Sequence, residues 1–188
     1  SAVAIYGINS WRREAKWKRK YELAEEALAL FYEVQDAIST IRSPLGHTSE
    51  GKTRKRRENE SERDSEILDR AYVVRERFEK NKDPFFKLKA LKYRFVALFG
   101  KGAEVYFNDI IKLTNKIIAV SDILGRYWKD EGKRKYTAEQ QQRNIKQTED
   151  YESIIWENWG NSEDEIKKEL ERIIEGIEKV CNAVLIKQ

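Results

Sequence analysis

From Trp17 the apolar residues of this chain fall at Tyr21, Ala24, Leu28, Phe31, Val34, Ile38 and Ile41, in steps of three or four. Residues so spaced share one side of an α-helix, so the segment hides its apolar surface as a long helix packed against others. A strand would scatter the same residues over both of its faces. Only Gly7 interrupts the run from Ala2 to Ile41. Arg42-Ser43-Pro44 then stops it, because proline crowds α geometry in the residue before it.

The same period recurs downstream, at Ile67, Ala71, Val74 and Phe78. Asp83-Pro84 reads as a helix start, with Asp as cap and Pro at the first helical position. That helix carries Leu88, Leu91, Phe95 and Leu98 and ends at Gly100-Lys101-Gly102. A fourth shows Phe107, Ile110, Thr114, Ile117, Ser121, Leu124 and Trp128 before Gly132. Thr137 with Gln140 has capping-box spacing and opens a fifth, through Ile145, Thr148, Ile155 and Trp159, closed by Gly160. Ser162 with Glu165 repeats the box ahead of a sixth, with Ile166, Leu170, Ile173, Ile177, Val180 and Val184.

With 2 Pro and 9 Gly in 188 residues and no period-two alternation, the expected fold is all-α. It is a mainly antiparallel bundle of about six helices over residues 11–188, the first helix the longest. No repeat of 20–50 residues is visible, which disfavours a solenoid. Residues 46–63 read as a polar, mobile loop, in which the basic run Lys52-Thr53-Arg54-Lys55-Arg56-Arg57 meets the acids Glu58, Glu60 and Glu62 and nearly cancels.

Charged residues make up 37% of the chain, well above the usual quarter or so. The 33 acids against 37 Lys and Arg describe solvated helical faces of mixed sign rather than a disordered polyelectrolyte. On that view Asp69, Glu76 and Glu79, interleaved with Arg70, Arg75, Arg77 and Lys80, form a charge-paired solvent face. A single cysteine excludes an intramolecular disulfide framework, and Cys181, inside a periodic helix, is expected as a buried thiol compatible with a reducing compartment. The chain has no methionine and begins Ser1-Ala2-Val3, as a processed product or fragment would.

The amino-terminal edge has a different pattern. Residues 2–8 are almost wholly apolar, and Trp11, Arg12, Arg13, Lys16, Trp17, Lys18, Arg19 and Lys20 follow with Glu14 as the only acid. An apolar end, an interfacial indole and a basic cluster describe the cytoplasmic boundary of a transmembrane helix. Seven residues cannot cross a bilayer core, which takes roughly 20, so residues 1–10 are expected to be the remnant of an anchor. In the plainer alternative Val3, Ile5, Ile8 and Trp11 extend the bundle's core.

The stretches Ala4-Ile5-Tyr6-Gly7-Ile8-Asn9-Ser10-Trp11-Arg12-Arg13-Glu14 and Glu22-Leu23-Ala24-Glu25-Glu26-Ala27-Leu28-Ala29-Leu30-Phe31-Tyr32-Glu33 resemble a family of uncharacterised bacterial helical proteins. Ile41-Arg42-Ser43-Pro44, Gly51-Lys52-Thr53-Arg54 and Leu91-Lys92-Tyr93-Arg94-Phe95 extend the similarity over most of the chain. The resemblance implies a short hydrophobic helix leading into a cytoplasmic helical region at a bacterial inner membrane. It implies no activity and no catalytic residues.

Enzymatic readings are weaker. Glu22, Glu25, Glu26, Glu33 and Asp36 put carboxylates along the first helix. A Mg²⁺-dependent nucleotide hydrolase, however, needs a facing acidic pair on a neighbouring helix. Di-iron chemistry needs paired Glu-x-x-His motifs, and the chain has one His. Arg42 and His47 match the Arg-x4-His pattern of HEPN-type ribonucleases, but on a Pro/Gly turn, a poor platform for aligned groups. The basic run 52–57 lacks the stacking aromatics of a nucleic-acid surface. Trp156 and Trp159, close to Gly160, could rim a pocket or an oligomer contact or belong to the core. The expected protein is a non-enzymatic, membrane-tethered helical module, without metal or cofactor, that binds a protein partner or self-associates. Nucleic acid is a minor alternative.

Overall fold

The computed structural model describes the backbone of residues 2–130, 135–158 and 163–186, and within those ranges side chains from Ser10 onward. Six helices pack against one another in a bundle: α1 (Ala2–Arg42), α2 (Glu62–Lys80), α3 (Asp83–Phe99), α4 (Glu104–Asp130), α5 (Ala138–Ile155) and α6 (Glu165–Leu185). A 3₁₀ turn, Lys101–Ala103, precedes α4, and no strand occurs among the described residues. α1, with 41 residues, is the longest, as its uninterrupted sequence requires.

Two compact units divide the chain. One comprises Ser1–Val34, Asp83–Ile110 and Glu171–Gln188; the other comprises Gln35–Lys82 and Ile111–Leu170. In the first, the periodic apolar residues meet as an aromatic cluster. Phe107 touches Phe31 edge-on at 5.0 Å and Phe95 at 5.3 Å, and Phe95 stacks on Phe99 at 4.1 Å. Each such pair adds about 0.5–1.5 kcal/mol beyond the area it buries. α1 and α3 run antiparallel here: the Lys20 ammonium lies 5.4 Å from the Phe99 ring centre, and Glu26 pairs with Arg94 at 3.5 Å. Cys181 is fully buried, which pushes its thiol up to about 12 and leaves it without thiolate chemistry.

In the second unit α2 and α4 are antiparallel. Arg75 reaches Asp122, the Arg70 guanidinium lies 4.4 Å from the Trp128 ring centre, and Lys129 approaches Asp64 at 3.4 Å. The 46–63 segment, expected as a mobile loop, packs along α2. α2 already begins at Glu62, with the Ser61 hydroxyl capping Asp64 N–H, and the rest of the segment is tied to the helix by part-buried ion pairs. Asp69, Glu76 and Arg77, expected on a solvent face, are buried and make those ties. The helical period predicted which face they share but not that a loop would fold over it.

The capping box at Thr137 and Gln140 is present in both directions. Ser162, read as the cap of α6, lies outside the described residues, as do Gly132, Trp159 and Gly160. The Lys167 N–H at the third position of α6 donates to Asp164 Oδ1 at 3.0 Å, so Asp164 occupies the capping role. α5 is more solvated than its apolar spacing suggested: Ile145 is 48% exposed and Ile155 alone is buried.

Candidate membrane-facing surface and the buried ion-pair clasps

Among the described side chains of α1 the first buried one is Leu23. Ahead of it, Ser10, Trp11, Arg12, Arg13, Glu14, Lys16, Trp17, Lys18 and Arg19 are exposed, with Ala15 and Lys20 partly covered. A helix turns every 3.6 residues, so five consecutive exposed residues, 10–14, leave no side of that turn packed on the core. Trp11 is 68% and Trp17 49% exposed, the latter ring lying 5.5 Å from Tyr21. Two exposed indoles represent apolar surface that water hydrates poorly. Six cations against Glu14 give the stretch a strong positive field, only weakly offset where Lys18 comes within 4.0 Å of Glu22 on the open surface.

Every side chain singled out for a membrane interface therefore sits on this one segment, Lys20 at its inner end against Phe99. Of residues 1–10, the expected anchor remnant, the side chains of 1–9 lie outside the described residues. No described helix is long and apolar enough to cross a membrane.

The groups weighed for catalysis are placed differently. Arg42, the last residue of α1, is 3% exposed. Its Nε donates to Ile154 O at 2.9 Å, and its Nη2 to Ser153 O, Trp156 O and both Asp164 carboxylate oxygens at 2.9–3.1 Å. Arg42 thus satisfies the open carbonyls at the end of α5 while pairing with the residue that caps α6. A guanidinium so committed has to break buried bonds before it can meet a phosphate. His47 is exposed in the following turn, with its backbone N–H donating to Glu50 Oε2. Glu22, Glu25, Glu26, Glu33 and Asp36 are all exposed on α1. Among the described residues no three His, Cys, Asp or Glu side chains converge as a metal would need.

Around the 46–61 segment, Arg54 pairs with Glu60 at 2.5 Å and with Asp69 at 2.9 Å, and Arg56 reaches the other Asp69 oxygen at 2.6 Å. Arg77 donates to Ser43 O and Leu45 O and forms a two-pronged pair with Glu50. Glu76 accepts from Gly51 N–H and from Lys80. The basic run 52–57 is thus divided: Arg54 and Arg56 are spent on Asp69, while Lys52, Lys55 and Arg57 are exposed. Arg54 and Arg77 hold the Glu60 and Glu50 carboxyls below their ordinary range. Burial would raise Glu76, but the bonds from Lys80 and Gly51 outweigh it and leave it lowered. Among the described residues no buried side-chain polar atom lacks a partner. These groups are arranged as clasps.

Trp156 is partly covered, with the Arg77 guanidinium 5.9 Å from its ring centre. That places it beside the clasp. No family model, no curated protein and no solved structure matches this chain.

Proposed function

We propose that this chain is a non-enzymatic helical module held at an anionic membrane surface by the start of α1, where it presents its bundle to a protein partner or to another copy of itself. The observation that carries the reading is the unpacked segment 10–19, with two exposed indoles and five of the cluster's six cations. Indoles favour the headgroup region, and each Lys or Arg near an anionic leaflet contributes about 1 kcal/mol of attraction. The excess of Lys and Arg that follows the apolar residues 2–8 is the charge bias of the cytoplasmic side of a membrane and supports that setting.

Sedimentation with vesicles tests this. The chain is expected to pellet with phosphatidylglycerol-containing vesicles and to remain free with phosphatidylcholine alone. Binding should fall steeply by 1 M salt, where screening acts within about 3 Å. Replacing Arg12 and Arg13 by Gln should weaken binding roughly 30-fold, the equivalent of two cations at about 1 kcal/mol each. Equal binding to both vesicle types, or to neither, would overturn the reading.

A further inference from the structure

A second exposed apolar surface lies on α3. Its inward side is Phe85, Leu88, Leu91 and Phe95, all buried. Its opposite side is apolar as well: Phe86, Ala90, Tyr93 and Ala97, at steps of four, three and four, are all exposed, Phe86 at 58% and Tyr93 at 71%. At 100° per residue these four share one stripe directly opposite the buried one, with Lys89 along one edge and Lys87 and Arg94 along the other. The only acid on the helix is Asp83, at its first residue. Lys92 is set apart, turned to Asn108 and Glu104. A helix apolar on two opposite sides has normally something to cover each, and solvated helices in this chain, such as α5, use polar side chains instead.

We propose that the outer stripe of α3 is a second membrane contact, lying flat on anionic headgroups with Phe86 and Tyr93 at the interface and Lys87, Lys89 and Arg94 toward lipid phosphates. An aromatic stripe edged on both sides by cations is the pattern of interfacial helices. Its charge complements an anionic surface, whereas a second copy of the stripe would set the same cations against each other. The end of α3 lies beside the α1 segment on its inward side, where the Lys20 ammonium is 5.4 Å from the Phe99 ring centre, and Arg94 approaches the well-exposed Glu26 at 3.5 Å. The inference rests on the membrane reading above, and it adds that the chain makes contact at two places rather than hanging from one.

Partition onto phosphatidylglycerol-containing vesicles separates the two claims. Lys87→Gln with Lys89→Gln should weaken binding roughly 30-fold, as two cations would, and Phe86→Ser with Tyr93→Ser at least tenfold. Both pairs are exposed, so the circular dichroism spectrum and melting temperature should stay those of the wild type. If the wild type binds and both α3 variants bind equally well, the second contact is refuted while the α1 reading stands. If the wild type does not bind, both fall. If instead it forms dimers by light scattering that Phe86→Ser with Tyr93→Ser abolishes, the stripe is a protein interface and the proposal is overturned.

Discussion

Replacing Arg42 by Met is expected to destabilise the second unit by about 3–5 kcal/mol, the usual cost of removing one partner from a buried ion pair. The change strips Asp164 of its counter-charge inside the fold and leaves the carbonyls of Ser153, Ile154 and Trp156 without that donor. Urea unfolding measures it. Arg42→Met combined with Asp164→Asn should recover part of the loss, because asparagine still caps Lys167 N–H and no buried charge is stranded. Acid should act on the same pair. Burial raises the Asp164 carboxyl, but bonds from Arg42, Lys167 N–H and Asn158 N–H outweigh it, so it stays below its ordinary 3.8. A carboxyl lowered by folding stabilises fully above its unfolded value and loses that contribution as pH falls through the folded one. Wild-type stability should therefore drop below pH 3.8, and this component should be missing in the double variant.

The second large effect is expected at Gly51. Its φ of 80° lies in the left-handed region, and a Cβ built there would overlap the backbone carbonyl of Asp69, which cannot swing aside as a side chain could. Gly51→Ala combines a left-handed alanine, about 1–2 kcal/mol, with overpacking, about 1–3 kcal/mol. A loss of roughly 2–5 kcal/mol follows, including damage to the Gly51 N–H bond to Glu76. Hydrogen exchange locates it: the amides of Arg54 and Glu60, which close turns in the segment, should exchange much faster. Unchanged protection would show that the segment is not held by its fit against α2.

The bundle was legible because a helical period is a local property. Ala24, Phe31, Val34, Ile38 and Ile41 are all buried as their spacing required, and the Thr137–Gln140 box needs only four residues to be seen. Along α1 the indoles and cations were visible as sequence neighbours, but Trp17, read as the first residue of the packed stripe, is 49% exposed. The clasps were not, because their partners are distant: Arg42 lies 122 residues from Asp164 and Arg77 lies 27 from Glu50. Local spacing matched the 46–63 acids to the adjacent basic run and put Asp69 and Glu76 in solvent, whereas a loop folded on α2 buries them. The outer stripe of α3 was not legible, because Phe86 and Tyr93 are interspersed with the inward Phe85, Leu91 and Phe95 and merge with them in one apolar run.

Quenching of tryptophan fluorescence by brominated lipids tests the central claim most directly. With phosphatidylglycerol-containing vesicles carrying bromines just below the headgroups, the emission of the wild-type chain should be quenched and shifted to the blue. The variant Trp11→Phe with Trp17→Phe should bind with little quenching of its remaining three tryptophans, of which Trp128 is buried and Trp156 partly covered. Wild-type emission unaltered by these vesicles, or quenching that persists in full without Trp11 and Trp17, would contradict the placement of α1 at a membrane surface.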